Sequence, residues 1–455
     1  MTKPLNNNNK SGCESHLDLP DHWNEMLIKF KNQYKNNIEY RDVLDPVSKR
    51  RKGLIVIIDH DIGGGANLYS SSLVESLREN GHATLRIAYN FFAKKYDITY
   101  KGPFYVREFT LDNSPDEWIK NLLQTLEPDH IFANELVTWE DQFYLTKFIM
   151  DLNIPYTVFV HDFFYICPSW NLISNEGSFC HIPEDIERCK ECCADNTYCD
   201  YSLYYGDAQP DMDSWRRDMY AFLHSSARII CFSETARNYI MKAYTGLSNI
   251  IVAEHTIPDR EVFTWKQRAF NGKESLTVAV VGNIGFHKGD DIVRNLIEHP
   301  EYRDLPVNIV IAGNARSFPV ASESEDKKVI VTGAYDRKDL PELLDNYHVS
   351  AVLIPSICPE TFSYTTSEAL LLGYPVICID IGASAERVRT YNAGIIVKDA
   401  SAEGILTAFR EILEQPDLIK EYSVNSRKYV SPSPEEHLRT VLSTLKYKTL
   451  LSETS

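Results

Sequence analysis

The stretch "VVGNIGFHKGDDIV", Val280–Val293, decides the fold. An apolar run passes into glycines, and Lys288 then stands where a helix should begin. A strand that turns on glycine into a helix is half of a βα unit. The helix dipole does not favour a cation in its first turn, so a lysine there reads as one kept for an anionic ligand.

Outward from this point the same pattern recurs. From Gly53 onward, "GLIVIID", "TLRIAY", "HIFANE", "YTVFVHD", "RIICFS" and "IIVAEH" are short apolar runs. Strands covered on both faces read this way in a parallel sheet. Amphipathic segments separate most of them, such as "ANLYSSSLVESLRENG", which closes on Gly81 as a helix closes on its C-terminal glycine. After the polar stretch "TWKQRAFNGKES" a second series follows: "TVAVVGN", "VNIVIAGN", "KVIVTGAY", "VSAVLIPS", "PVICIDIG" and "AGIIVKD". Two such series in tandem predict an α/β chain with two Rossmann-like, doubly wound parallel-sheet domains facing across a cleft. The boundaries read as an N-terminal extension at 1–52 (a polar, disordered start, then a helix), a first domain at 53–265 and a second at 266–430. The segment 431–455 reads as a long helix crossing back onto the first domain.

Composition bounds the function. The 455 residues carry 47 basic and 64 acidic side chains, a net charge of −17. No nucleic-acid partner is expected, because such binding rests on many phosphate contacts. The one basic run, Lys49–Lys52, reads as a solvated linker. No apolar stretch approaches the roughly 20 residues that span a bilayer. The N-terminus has no apolar signal core, so a cytoplasmic protein is expected, with its ten cysteines as thiols or metal ligands and not as disulfides.

In open parallel sheets ligands bind at the carboxyl ends of the strands, and the chemical residues of this chain follow strands. Gly63, Gly64 and Gly65 after the first strand permit a tight turn and leave amides free at a helix start; an ordinary tight turn explains them equally well. His161, with Asp162 beside it, ends the fourth strand, where an imidazole can meet a sugar hydroxyl or move a proton. The densest signal is "PSICPETFSYTTSEALLLGYPVICIDIGASAERV", Pro355–Val388. There a loop presents Glu360, and a helix starting near Ser363 or Tyr364 carries Glu368. Amides at Thr361, Phe362, Ser363 and Tyr364 suit a phosphate, while the flanking carboxylates suit vicinal hydroxyls. Amides for phosphate between acids for hydroxyls fit a nucleotide sugar.

These motifs resemble the GT-B glycosyltransferases of family 4, retaining enzymes with an E-x7-E motif, over roughly residues 53–450. "PETFSYTTSEALLLGYPVICIDIGA" is similar to bacterial O-antigen and polysaccharide glycosyltransferases. The resemblance implies that Glu360 approaches the donor sugar, Glu368 holds the ribose and Lys288 neutralises the diphosphate. His161 then lines the reacting centre, and the loop Gly63–Gly65 closes over donor or acceptor. Many relatives carry an arginine where this chain has Asn283, which places more of the diphosphate on Lys288 and the helix amides. The implied donor is a UDP-, GDP- or dTDP-sugar, and the implied acceptor a saccharide or lipid-linked saccharide in surface polysaccharide synthesis. Peripheral contact with the inner membrane face is compatible with this. No obligatory catalytic metal is expected, for no DxD-like pair sits at a strand end in the right place for one. The rival readings are a GT-B sugar epimerase or phosphorylase and a nucleotide- or glycan-binding protein without turnover.

One insertion, residues 167–199, stands apart. Cys189 and Cys192 have metal-ligand spacing, and with Cys167 and Cys180 they could hold a structural Zn²⁺; Cys193 and Cys199 are spares. Ordinary reduced thiols are the alternative.

Overall fold

The computed structural model describes residues 53–102, 106–112, parts of 119–139, 142–199 and 210–443. The disordered start and helix expected within 1–52, the basic run and the end of the last helix lie outside the described residues.

The first sheet contains β1 (Leu54–His60), β2 (Ala83–Asn90), β3 (Lys95–Lys101), β4 (Val106–Asp112), β5 (His130–Ala133), β6 (Tyr156–Val160), β7 (Arg228–Cys231) and β8 (Ile250–Val252). Its order is β4-β3-β2-β1-β5-β6-β7-β8. Six strands are parallel, in the register Leu54 opposite Ala83 and Ile131 opposite Tyr156. The pair β3–β4 is antiparallel and widens the sheet at one edge. Here the structure departs from the expected all-parallel sheet. The segment "KYDITYK" alternates, burying Ile98 and Tyr100 and showing its lysines, so it lacks the apolar run that marks an inner strand.

Among the described residues, helices α1 (Gly65–Glu79), α2 (Gln142–Asp151), α3 (Ile186–Asp195), α4 (Met212–Ser225) and α5 (Glu234–Ala243) accompany this sheet. The α1 helix ends where Gly81, at φ 84°, takes the left-handed turn that a side chain would resist.

The second sheet contains β9 (Leu276–Ile284), β10 (Val307–Ala315), β11 (Ser322–Glu323), β12 (Val329–Val331), β13 (Ala351–Ile354), β14 (Val376–Ile379) and β15 (Gly394–Val397). Its order is β11-β12-β10-β9-β13-β14-β15, parallel but for the two-residue β11. Around it lie α6 (Asp290–Glu298), α7 (Pro300–Asp304), α8 (Leu340–Asn346), α9 (Tyr364–Leu371), α10 (Gly382–Tyr391), α11 (Ala402–Glu414), α12 (Asp417–Ser426) and α13 (Pro434–Leu442). Both sheets follow the βα alternation read from the sequence, because strands that bury both faces must be covered by helices on each side.

One apolar core runs through the junction of the two lobes, joining Tyr69, Phe159 and Phe232 to Phe263, Phe362 and Tyr374. Polar contacts also cross the junction. Thr361 Oγ1 donates to the His161 carbonyl at 2.7 Å, and Tyr364 Oη meets His255 Nδ1 at 2.8 Å. Glu386 on α10 accepts from the Glu234 and Thr235 amides at 3.1 and 2.6 Å. That carboxylate caps the positive end of α5 from the opposite lobe. His437 on α13 lies 2.8 Å from the Tyr69 hydroxyl on α1, so the last described helix packs on the first lobe.

Candidate active site at the junction of the lobes

In the second sheet the chain runs outward in opposite directions from β9 and β13, which makes a crevice at their carboxyl ends. Lys288 follows β9 and Glu360 follows β13. A 3₁₀ turn, Phe286–Lys288, precedes α6, so Lys288 sits on an extra turn just before the helix. Gly289 makes the approach to β13 close. At φ 87° it is left-handed, and a Cβ there would come 2.1 Å from the Pro355 carbonyl oxygen. Gly289→Ala is therefore expected to cost on the order of 2 kcal/mol from backbone strain, and more from the collision. A denaturation midpoint equal to that of the parent would count against this close approach.

The turn delivers the Lys288 ammonium 2.8 Å from Glu360 Oε1, which also accepts from the Ser356 hydroxyl at 2.6 Å. Burial alone would lift the Glu360 carboxyl, but Lys288 and Ser356 hold it down at about 2. Burial likewise opposes the charge on Lys288, and Glu360 overrides it to keep the ammonium above its usual value. Both groups are therefore ionised at the crevice.

Beyond Glu360 the backbone reaches Ser363, left-handed at φ 64°, and enters α9 with no side-chain cap and no acid in the first turn. The amide end of α9 thus stays electrostatically open to an anion. Arg387 holds this loop from beneath. It donates to the Ser363 carbonyl at 3.0 Å, to Ser367 Oγ at 2.9 Å and to the Phe362 carbonyl, with its guanidinium over the Phe362 ring. The side chains of Thr361, Phe362 and Ser363 are buried, so what this loop offers a ligand is mainly backbone.

The first lobe supplies the opposite wall. Gly63 and Gly64 are left-handed, at φ 86° and 85°, and the Gly63 amide donates to Asn67 Oδ1 at 2.7 Å. A side chain at Gly65 would lie 3.6 Å from the Tyr364 ring, so the glycine turn reaches the start of α9. His161 ends β6 and belongs to a chain of polar contacts. Asn134 Nδ2 donates to Asp59 Oδ1 at 3.0 Å, which fixes the amide orientation, so Asn134 Oδ1 accepts from His161 Nε2 at 2.9 Å. The Nε2 atom therefore bears the hydrogen and Nδ1 presents a lone pair. Burial, the largest influence, brings the His161 pKa down to about 3, so the ring is neutral near pH 7.

A cavity of about 380 Å³ lies between these walls, lined by Gly63, Gly65, His161, Lys288, Glu360 and Thr361–Thr365. Most of the residues read as catalytic or donor-binding therefore meet in one place. Two stand elsewhere. Asn283 is exposed at the end of β9, opposite Asn314, and does not line this cavity. Glu368 is buried one turn into α9 and paired with Arg337, whose Nε donates to Glu368 Oε1 at 2.7 Å; its Nη2 lies 2.5 Å from the same oxygen. Burial lifts the Glu368 carboxyl despite the guanidinium.

Sequence reasoning missed Arg337, Arg387, and the cavity-lining acid Glu135; Asp162 was seen only as the neighbour of His161. Burial raises both acids, and Asp162 raises Glu135 further, so the pair holds its protons more tightly than free carboxyls do. Arg337 was findable: it follows β12, at the same carboxyl edge as Lys288 and Glu360. Arg387 carried no local signal, since it acts across 24 residues of chain on the Ser363 carbonyl.

The cysteines of the insertion gather in one region. Cys167, Cys180, Cys189 and Cys192 do line one cavity, of about 670 Å³, together with Cys193. Among the described residues, however, no three His, Cys, Asp or Glu side chains are arranged to hold a metal ion. The thiols are engaged otherwise. The Cys167 and Cys193 thiols share a hydrogen bond, while Cys180 and Cys192 accept from the Ile182 and Asn175 amides at 3.4 Å. Burial pushes the Cys180 thiol up to about 12.

Two sheets of this order, facing across a crevice at their carboxyl ends, define the GT-B fold. HepE from Anabaena in complex with UDP superposes with a TM-score of 0.56 at 13% identity, covering 86% of this chain and 99% of that one. Sucrose-phosphate synthase from Thermosynechococcus elongatus gives 0.55 at 15% identity, with 86% and 94% covered. The catalytic domain of starch synthase IV from Arabidopsis thaliana, bound to ADP and acarbose, gives 0.53 at 12% identity, with 86% and 98% covered. At these identities the likeness is one of fold. Residues 262–429, the lobe bearing Lys288, Glu360 and Glu368, match the family model described as glycosyl transferases group 1. No curated protein matches the chain. Among the described residues no helix is long and apolar enough to cross a membrane.

Proposed function

We propose that this protein is a retaining glycosyltransferase of family 4, moving a sugar from a nucleoside-diphosphate sugar to a saccharide or lipid-linked saccharide of a surface polysaccharide. The observation that carries the reading is the Lys288–Glu360 pair at the crevice, beside the open amide end of α9. A diphosphate needs the cation and the amides, and a hexose beside it needs the carboxylate as hydroxyl acceptor. A donor entering the cavity would part the pair and give each charge its own partner.

In the reaction the acceptor oxygen bonds to the anomeric carbon. The bond from that carbon to the phosphate oxygen breaks, and its electron pair departs with the nucleoside diphosphate. The acceptor hydroxyl proton passes to the leaving phosphate on the same face. Lys288 and the α9 amides stabilise the charge that grows on that phosphate, the term that dominates such catalysis. The neutral His161, fixed by Asn134, offers Nδ1 to a hydroxyl of the transferred sugar. Glu368, held by Arg337 through Oε1, keeps Oε2 for the ribose. All of these groups belong to the chain, so activity is expected to persist in EDTA. The cytoplasm, with peripheral contact at the inner membrane face, is the proposed location.

The test is a thermal-shift screen with UDP, GDP, ADP, dTDP and inorganic pyrophosphate, since a ligand bound by the folded state raises the melting point. At least one nucleotide should raise it clearly. Arg337→Ala should lose most of the increment of nucleotide over pyrophosphate and keep the pyrophosphate shift. A chain stabilised by none of these ligands would not be a nucleotide-sugar enzyme. The runner-up, a binding protein without turnover, would show the shift with no hydrolysis or transfer of the matching labelled sugar nucleotide.

A further inference from the structure

A second cavity, of about 550 Å³, adjoins the one just described and shares Asn171 and His287 with it. It lies between the cysteine-rich insertion and the start of α6, and its size is in the usual range for small-ligand pockets. The insertion contributes Thr197 and Tyr198; the second lobe contributes Asp291, Arg294 and Arg316. Tyr198 is stacked on Phe286 with ring centroids 4.8 Å apart and planes 16° apart. That contact ties the insertion to the 3₁₀ turn carrying Lys288. The other lobe-side acid, Asp290, is spent on Ser317, accepting from its amide at 2.9 Å and its hydroxyl at 2.6 Å.

The remaining groups suit hydroxyl-rich ligands. Asp291 and Arg294 form a half-exposed pair at 3.1 Å, and Arg316 is exposed with no ion pair among the described residues. Planar carboxylate, guanidinium and amide groups around one space match hydroxyls, which both donate and accept. The two acids balance the two arginines, so the cavity is not built to attract a polyanion.

We infer that this side cavity binds the acceptor saccharide, through Asn171, Asp291, Arg294 and Arg316, and directs its hydroxyl past His287 into the catalytic cavity. The inference rests on the donor reading above and deepens it, assigning the acceptor to a pocket made by the insertion. It gives the insertion a role that needs no metal: its Tyr198 end closes the pocket.

The probes are the methyl glycosides of glucose, galactose, mannose, rhamnose and N-acetylglucosamine, observed by saturation-transfer NMR on the full chain with its preferred nucleoside diphosphate bound. At least one glycoside should bind saturably. Its affinity should fall at least ten-fold in the double variant Asp291→Ala, Arg316→Ala and in Thr197→Trp, which fills the cavity. The nucleotide thermal shift should be unchanged in both, showing folded protein with an intact donor site. Equal glycoside binding in parent and variants overturns the inference, and so does failure of all five glycosides while the nucleotide is bound. If no nucleotide binds to the parent chain, it is the donor reading that has failed.

Discussion

Lys288→Ala should lower the turnover of sugar transfer by about 10²–10³-fold, the usual consequence of removing a charge aimed at a developing anion. The substitution does more than remove one diphosphate contact. It leaves Glu360 buried with only the Ser356 and Ser363 hydroxyls to answer it, since Lys288 is the main influence that opposes burial there. The carboxyl should then rise, and part of the population should lose its charge under mild conditions. The sign of the effect on stability follows. In the parent, Glu360 titrates at about 2 when folded, below the ordinary carboxylate value of about 4.5. Its contribution is complete above about 4.5 and disappears as pH falls through 2. In Lys288→Ala that step should vanish, replaced by a loss of stability as pH rises through the new, higher value. Turnover in the variant within three-fold of the parent would remove Lys288 from the mechanism. Glu360→Gln keeps the shape without the charge; it should impair transfer yet spare the pyrophosphate thermal shift.

The lobes were legible because of what parallel strands require. A strand such as "LIVIIDH", covered on both sides, opens with five apolar residues and keeps its polar ones, Asp59 and His60, for the carboxyl end; all seven are buried. The hairpin β3–β4 escaped the same criterion because an edge strand obeys a different period. The Lys288–Glu360 pair followed from topology, each residue standing at the carboxyl end of a strand beside the reversal point. What escaped were partners joined by long separations. Asp59 orients Asn134 across 75 residues, Asn134 orients His161 across 27, and Arg337 reaches Glu368 across 31. Nothing in the spacing of one sequence announces such pairs. The cysteines show the limit from the other side: their spacing marked a candidate ligand set, and the structure brings all four to one cavity, but spacing does not specify thiol orientation.

Acid should unfold this protein unusually early. His60, His130 and His437 are buried, and burial, the largest cause in each, brings their pKa values down to about 4; His161 comes down to about 3. In the unfolded chain each titrates near 6.5, so between about 6.5 and 4 the unfolded state binds protons that the folded state refuses. Stability therefore falls with decreasing pH over that window. At pH 5 each imidazole should subtract roughly 2 kcal/mol relative to pH 7. Several together rival the roughly 5–15 kcal/mol that keeps a domain folded. The junction of the lobes is where this concentrates. His161, His255 and His437 all surround Tyr69, and burial also pushes His255 well below its usual value. Charging any of them places a cation in the apolar core that joins the two sheets. Denaturant unfolding at pH 7, 6 and 5 should show a steep loss. His437→Gln, which can still bond to the Tyr69 hydroxyl but cannot titrate, should reduce the slope by about one proton. A stability constant from pH 7 to 5 would mean that these rings are hydrated and that the lobes do not meet as closely as described.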